Sequence, residues 1–148
     1  MSPPSLQRAL ESLYGRPAPP REVTKLRGDA STRSYYRVRV DEAPAGRPDA
    51  LIAMELPEDA FGSDEGGAQP ESQRLPFLEV AELLRDKGLP TPKVYLEDLD
   101  NRVILLEDLG DTTFEQQLRQ TPRREWTRWY ERAIDLVADV HNRCAELP

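Results

Sequence analysis

The order of short apolar segments along the chain constrains its fold most strongly. A hairpin pattern covers residues 21–41, and an apolar strand pattern covers residues 50–56. A helical pattern over residues 74–87 follows, and then two more strand patterns over residues 92–96 and 101–106. Residues 50–56 are apolar at almost every position, which is typical of a strand covered on both faces. The order therefore predicts an α+β fold with a five-stranded antiparallel sheet and this strand near its middle.

Helical spacing of apolar residues predicts four helices. The first covers residues 5–14, and the helix over residues 74–87 is expected to be the main helix packed on the sheet. The apolar stripe of this second helix comprises Phe77, Val80, Ala81 and Leu84, widened by Leu78 and Leu83. A short helix over residues 113–120 is followed by a long one over residues 122–142, with Thr121 matching an N-cap. The long helix carries an apolar stripe of Trp126, Trp129, Tyr130, Ala133, Ile134, Val137 and Val140. Such stripes more often pack in a core than bind a ligand.

Composition narrows the classes of partner. The chain has 148 residues, with 20 Lys and Arg against 27 Asp and Glu, which gives a net charge of -7. This balance argues against binding to nucleic acid or an anionic membrane. No signal sequence or membrane-spanning apolar run is evident, and Cys144 is the single cysteine, so we expect a cytoplasmic protein. Arg33, Arg37 and Arg39 form a local basic cluster that suits a small phosphate ligand.

The turn of the predicted hairpin has residue types that suit phosphate binding. Glycine allows close approach of the backbone, hydroxyls and backbone N–H groups donate hydrogen bonds, and an arginine adds a charge-assisted contact. The same pattern is also typical of an ordinary turn, which local sequence alone favours. The candidate phosphate-binding residues are Gly28, Asp29, Ala30, Ser31, Thr32 and Arg33.

Residues 28–35 are similar to the nucleotide loop of the aminoglycoside phosphotransferase family. Within that family they most resemble bacterial sugar kinases that phosphorylate N-acetylmuramate and N-acetylglucosamine. The resemblance continues through Met54, Phe77 and the segment 105–111, and it covers most of residues 20–142 in the family's order. This collinearity is more specific than any single motif.

The resemblance implies a kinase-like nucleotide-binding N-lobe over residues 1–111 and the start of an incomplete helical C-lobe over residues 112–148. It implies transfer of the ATP γ-phosphoryl group, with Mg²⁺, to a hydroxyl of a small-molecule acceptor such as a sugar or amino sugar. The catalytic base and metal ligands of the family match no position here, so we expect the chain alone to be inactive. The segment that presents backbone groups to adenine matches Leu106, Glu107, Asp108 and Leu109. We expect the side chains of Glu107 and Asp108 to be solvated.

One departure from kinase-like lobes concerns the third strand. Such lobes place a phosphate-binding lysine there, paired with a glutamate on the next helix. Met54 occupies the lysine position in this chain, as it also does in the resembled sugar kinases, so Arg33 becomes the candidate for the phosphate contact. Glu79, expected nearer the buried edge of its helix than Glu82, is the candidate helix glutamate, and a surface charge is the stronger expectation for it. We assign His141 no catalytic role.

Two other functions remain open from the sequence. One is a non-catalytic binding or interaction module built on a kinase-lobe scaffold and docking through its last helix. The other is a small regulatory domain without nucleotide affinity. The wide apolar stripe of the last helix also predicts self-association or a poorly anchored helix.

Overall fold

The computed structural model describes residues 4–26, 33–57 and 75–145. The chain divides into two compact units. The first, here the sheet unit, comprises Met1–Gln73 and Pro92–Asp108, and the second, the helical unit, comprises Arg74–Thr91 and Leu109–Pro148. The helix after the third strand thus belongs to the helical unit. The two-lobe organisation with a boundary at residue 111 stays a prediction.

In the part that the structure describes, the sheet unit contains one helix and a five-stranded antiparallel sheet. The helix α1 spans Pro4–Tyr14. The strands run in the order β1-β2-β3-β5-β4, with every neighbouring pair antiparallel, so β3 lies at the centre. This confirms the α+β class, the five strands and the central position of the apolar strand. The strands are β1 (Pro20–Lys25), β2 (Ser34–Val40), β3 (Ala50–Glu55), β4 (Val94–Asp98) and β5 (Val103–Glu107).

The core of the sheet unit lies between α1 and one face of the sheet. Leu6, Ala9, Leu10 and Leu13 recur at helical spacing, and all four are buried. Alternation along the strands sends every second side chain to the same face. The strand residues in this core cluster are Val38, Val40, Leu51, Ala53, Val103 and Leu105. The first predicted helix is confirmed, and it supplies the helical side of this core.

Tyr14 ends α1 with a hydrogen bond that anchors the connection before β3. Its hydroxyl donates to the carbonyl of Pro48 at 2.7 Å. Burial, together with the nearby charge of Asp49, raises the pKa of Tyr14 above its ordinary value of 10.0. The folded state therefore holds the phenol proton more tightly than the unfolded chain.

We expect Tyr14→Phe to lower the free energy of unfolding at neutral pH by about 1 kcal/mol, because the hydrogen bond is lost. A raised folded-state pKa gives a stabilisation that is complete below pH 10.0 and is lost as the pH rises through it. The wild-type chain should therefore lose more stability than the Phe variant above that pH. Urea unfolding at neutral and alkaline pH measures both differences, and parallel pH curves for the two proteins would contradict this account.

The last two strands begin two residues later than the sequence predicts. The tight connection uses residues 99–102 because the Asp98 side chain, expected in the turn, closes it from the end of β4. Its Oδ1 accepts the backbone N–H of Asn101 at 3.1 Å, and Asn101 Nδ2 donates to the same carboxylate. Arg102 adopts a left-handed φ of 57° before β5 begins. An aspartate that caps its own turn therefore sets the register.

The helical unit contains α2 (Pro76–Asp86), α3 (Phe114–Gln120), a 3₁₀ turn (Arg123–Glu125) and α4 (Trp126–Cys144). Thr113 caps α3, since its Oγ1 accepts the N–H of Gln116 while the Gln116 side chain accepts the N–H of Thr113. This reciprocal arrangement satisfies two helix-end donors and explains why the helix begins there. Gly88 closes α2 in a left-handed conformation with φ of 70°.

The predicted start of the long helix is wrong. Thr121 ends α3 instead of capping α4, because its hydroxyl donates to the carbonyl of Gln117 at 2.7 Å. Pro122 then leads into the 3₁₀ turn, and α4 begins at Trp126. The indole Nε1 of Trp126 lies within hydrogen-bond distance of the carbonyls of Leu118 and Thr121, at 3.1 and 2.9 Å. The carbonyl of Leu118 also accepts the backbone N–H of Thr121 at 3.1 Å, so the indole adds a second donor at the end of α3.

The buried side of α2 also differs from the predicted stripe. Leu78 is the buried residue of this helix, whereas Val80, expected in the apolar stripe, is exposed. Glu79 is exposed and Glu82 is half-buried, the reverse of the expected order. The surface-charge interpretation of Glu79 is therefore confirmed.

The helix α4 keeps much of its apolar stripe exposed. The exposed members are Tyr130, Ile134, Val137 and Val140, while Trp126, Trp129 and Ala133 are half-buried. Leu136, outside the stripe, is also exposed. Self-association through this face stays a prediction, which sedimentation of the purified chain would test. None of the helices among residues 4–26, 33–57 and 75–145 is long and apolar enough to cross a membrane.

Candidate functional site

The predicted phosphate turn falls mostly outside the described residues. Gly28, Asp29, Ala30, Ser31 and Thr32 belong to the undescribed stretch, so their assignment stays a prediction. Arg33 is described, and it lies half-buried immediately before β2. The hairpin that holds this connection is confirmed, because β1 and β2 pair from Pro20 with Val40 to Lys25 with Tyr36.

The sheet face opposite α1 is built from two rows of paired residues. Tyr35 pairs with Met54, which pairs with Ile104 on β5. Directly paired residues share a face, so these three side chains form one row. The next row on the same face is Arg37, Ile52 and Leu106. Met54 and Ile104 are fully buried, which makes the methionine at the expected lysine position a packing residue.

Arg37, at one end of the second row, forms an ion pair with Asp108, the first residue after β5. Arg37 Nη2 donates to Asp108 Oδ1 at 3.0 Å, and Arg37 Nε lies 2.7 Å from Asp108 Oδ2. The side chains are only 16% and 12% exposed. Two-point contact between a guanidinium and a carboxylate fixes direction as well as distance. The pair joins two strands that are not neighbours, since β3 lies between β2 and β5.

The expectation of solvated acids after β5 is wrong for Asp108, whose carboxylate is held by Arg37. Glu107 is half-buried, and its Oε2 accepts the backbone N–H of Lys93 at 3.0 Å. The backbone N–H of Glu107 also donates to the carbonyl of Lys93 at 2.9 Å. Both acids therefore fix the backbone at the end of β5. Beyond them, Leu109 is 70% exposed and Gly110 turns the chain with φ of 80°.

The two arginines of β2, Arg37 and Arg39, contact different carboxylates. Arg37 is paired with Asp108, and Arg39 Nε lies 4.0 Å from Glu22 Oε2 on the exposed side of the hairpin. Arg33, immediately before β2, stays the predicted phosphate contact. Sequence reasoning missed the role of Arg37, because only the strand order places it beside Asp108.

The two predicted nucleotide-binding segments attach at opposite ends of the sheet. Glu107 pairs with Leu51, so the segment after β5 lies beside the start of β3. Ser34 pairs with Glu55, so Arg33 precedes β2 at the other end of β3. Four residue steps of strand separate Leu51 from Glu55, a span of about 13 Å. A ligand with a base at one end and phosphates at the other suits this separation.

A magnesium site does not fit the described residues. Over the ranges 4–26, 33–57 and 75–145, no three His, Cys, Asp or Glu side chains come together in a way that could hold a metal ion. For the base of a nucleotide the residues of the sheet unit fit better, because half-buried Ile52 shares its face with Leu106 near the end of β5.

Comparison with known proteins finds two related enzymes. The chain is 32% identical over 96 residues to an N-acetylmuramate/N-acetylglucosamine kinase of Pseudomonas aeruginosa, which covers 65% of this chain and 23% of that protein. It is 29% identical over 126 residues to a protein of the same name from Caulobacter vibrioides, which covers 78% of this chain and 34% of that protein. The chain thus spans about a quarter to a third of the length of these curated relatives.

No family model matches the chain, and no solved structure matches it significantly. The two similar enzymes carry the same name, and the matched part of this chain reaches 78% in the longer alignment. These similarities support a relationship between this chain and the sugar kinases.

Proposed function

We propose that this chain is the nucleotide-binding part of an ATP-dependent sugar kinase of the aminoglycoside phosphotransferase family. The observation that carries the proposal is its similarity to two N-acetylmuramate/N-acetylglucosamine kinases. The substrate would be a hydroxyl of a sugar or amino sugar, and the phosphoryl donor would be ATP with Mg²⁺ bound by residues other than those described. Such catalysis depends on positioning and charge stabilisation.

Within this proposal, the base of the nucleotide contacts residues 106–109. The backbone there leaves the strand ladder after Glu107, and the side chains of Glu107 and Asp108 both hold it in place. An adenine edge needs a backbone donor and acceptor at a fixed spacing, so a restrained segment suits it. Half-buried Ile52 supplies apolar surface on the adjoining face, beside the buried side chain of Leu106.

The phosphate groups contact residues 28–33 in the same proposal. Arg33 supplies the charge that Met54 lacks, because a thioether does not neutralise a phosphate. Arg33 lies directly before β2, at the end of the sheet away from Asp108. The ligand would thus extend along β3 from the base segment to the hairpin connection.

We expect ATP and ADP to bind weakly to the purified chain, and Arg33→Ala to weaken ATP binding further by about 1 to 3 kcal/mol. The loss follows from removing a charge-assisted contact to the phosphates. Isothermal titration calorimetry with ATP measures it. Arg39→Ala is the matched control, because Arg39 lies in β2, the strand that follows Arg33 directly. Its side chain is 57% exposed beside Glu22.

Unchanged ATP affinity in the Arg33 variant would remove this residue from the site. Absence of nucleotide binding by the wild-type chain would contradict the proposed function itself. It would favour the alternative of a non-catalytic module.

A further inference from the structure

We propose that the Arg37–Asp108 ion pair is a positioning element that gives the base-binding segment its preference for adenine. This inference rests on the proposed function and adds a specificity role for two residues that need not touch the nucleotide. Its basis is where the pair acts: at the first residue after the strand ladder has ended.

Regular strand pairing holds β5 only as far as Glu107. On one side Glu107 pairs with Leu51 of β3, and on the other side its backbone N–H donates a hydrogen bond to the carbonyl of Lys93. Asp108 is the next residue, and Gly110 turns the chain two residues later. Asp108 thus lies just beyond the strand, where the contact of its side chain with Arg37 restrains it.

The ion pair is well built for that task. The Asp108 side chain is short, so fixing both of its carboxylate oxygens restrains the rotation of the adjoining peptide groups. Arg37 provides this with contacts of 3.0 and 2.7 Å from a position inside β2. With exposures of 16% and 12%, the pair is little weakened by water and salt.

A restrained segment recognises a base more selectively than a loose one. Adenine and guanine present different donors and acceptors at the edge that a backbone segment contacts, so selection depends on the direction of the N–H and C=O groups. A segment that must be ordered on binding loses affinity through conformational entropy, and it can also adjust to the wrong base. Loosening Asp108 should therefore cost affinity for ATP much more than for GTP.

The experiment compares ATP and GTP binding to the chain by isothermal titration calorimetry. Asp108→Asn keeps the shape of the side chain and removes its charge, and Arg37→Lys keeps the charge and removes the two-point geometry. We expect both variants to bind ATP about tenfold more weakly, the factor that corresponds to ordering roughly one residue, with little change for GTP. Arg39→Lys, in the exposed pair with Glu22, should leave both affinities unchanged.

Thermal unfolding of each variant shows that it is folded at the temperature of titration, and Arg37→Lys is the milder change if Asp108→Asn is too unstable. Unchanged ATP affinity in the folded variants would overturn the inference. So would equal weakening of ATP and GTP, which indicates a general structural role. Wild-type chain that binds neither nucleotide would overturn the proposed function as well, so the two failures are distinguishable.

Discussion

Leu10→Ala is expected to lower the free energy of unfolding of this chain by about 2–5 kcal/mol. Leu10 is fully buried at the centre of the core between α1 and the sheet. Replacing it removes apolar contacts and leaves a cavity that the neighbouring strands cannot fully close. Because this core is built with α1, the effect should appear as a loss of stability of the whole sheet unit. Urea denaturation followed by circular dichroism measures the change.

Ser12→Ala is the matched control on the same helix. Ser12 is exposed, so its substitution should change the free energy of unfolding by no more than about 0.5 kcal/mol. A Leu10 variant as stable as this control would show that α1 is not part of the folded sheet unit in solution.

Arg37→Ala is expected to cost about 3–5 kcal/mol of stability, because it leaves the carboxylate of Asp108 without its cation in a site that is 12% exposed. Arg39→Ala removes an arginine from the same strand, but Arg39 and Glu22 are 57% and 59% exposed and 4.0 Å apart. Water screens such a pair, so this control should cost only about 0–1 kcal/mol. Urea unfolding of both variants gives the comparison.

A double-mutant cycle separates the ion pair from other effects at Arg37. Once Asp108→Ala is present, removing Arg37 should cost clearly less than it does in the wild-type chain, because the carboxylate that Arg37 contacts is already absent. Equal losses from Arg37→Ala and Arg39→Ala, or strict additivity in the cycle, would mean that the pair contributes no more than a surface contact.

The strands and α1 could be predicted from sequence because their pattern is local. The apolar run at residues 50–56 predicts a central strand, and the spacing of leucines in α1 predicts its buried face. The boundaries of helices and strands were harder to predict, because they depend on polar side chains that can each bond either of two backbone groups. Thr121 suits the N-cap of a following helix, yet its hydroxyl bonds back to Gln117. Asp98 is the last residue of β4, yet its side chain closes the turn that follows.

The candidate site was harder to predict, because its main feature joins residues that are distant in sequence. Arg37 and Asp108 are 71 residues apart, and neither has a local pattern that indicates a partner. Their pairing follows from a strand order that places β3 between β2 and β5. The prediction of a base-binding segment at residues 106–109 came from resemblance alone, and the function of its backbone stays a proposal.

Titration of the ¹⁵N-labelled chain with ATP, followed by amide NMR, tests the central claim most directly. A chain that holds the base on residues 106–109 and the phosphates on residues 28–33 should show its largest amide shifts in these two segments, at opposite ends of β3. The same titration with tripolyphosphate should shift the hairpin connection and leave residues 106–109 unchanged. Absence of ATP-dependent shifts, or shifts confined to α4, would contradict the assignment of this chain as a nucleotide-binding unit.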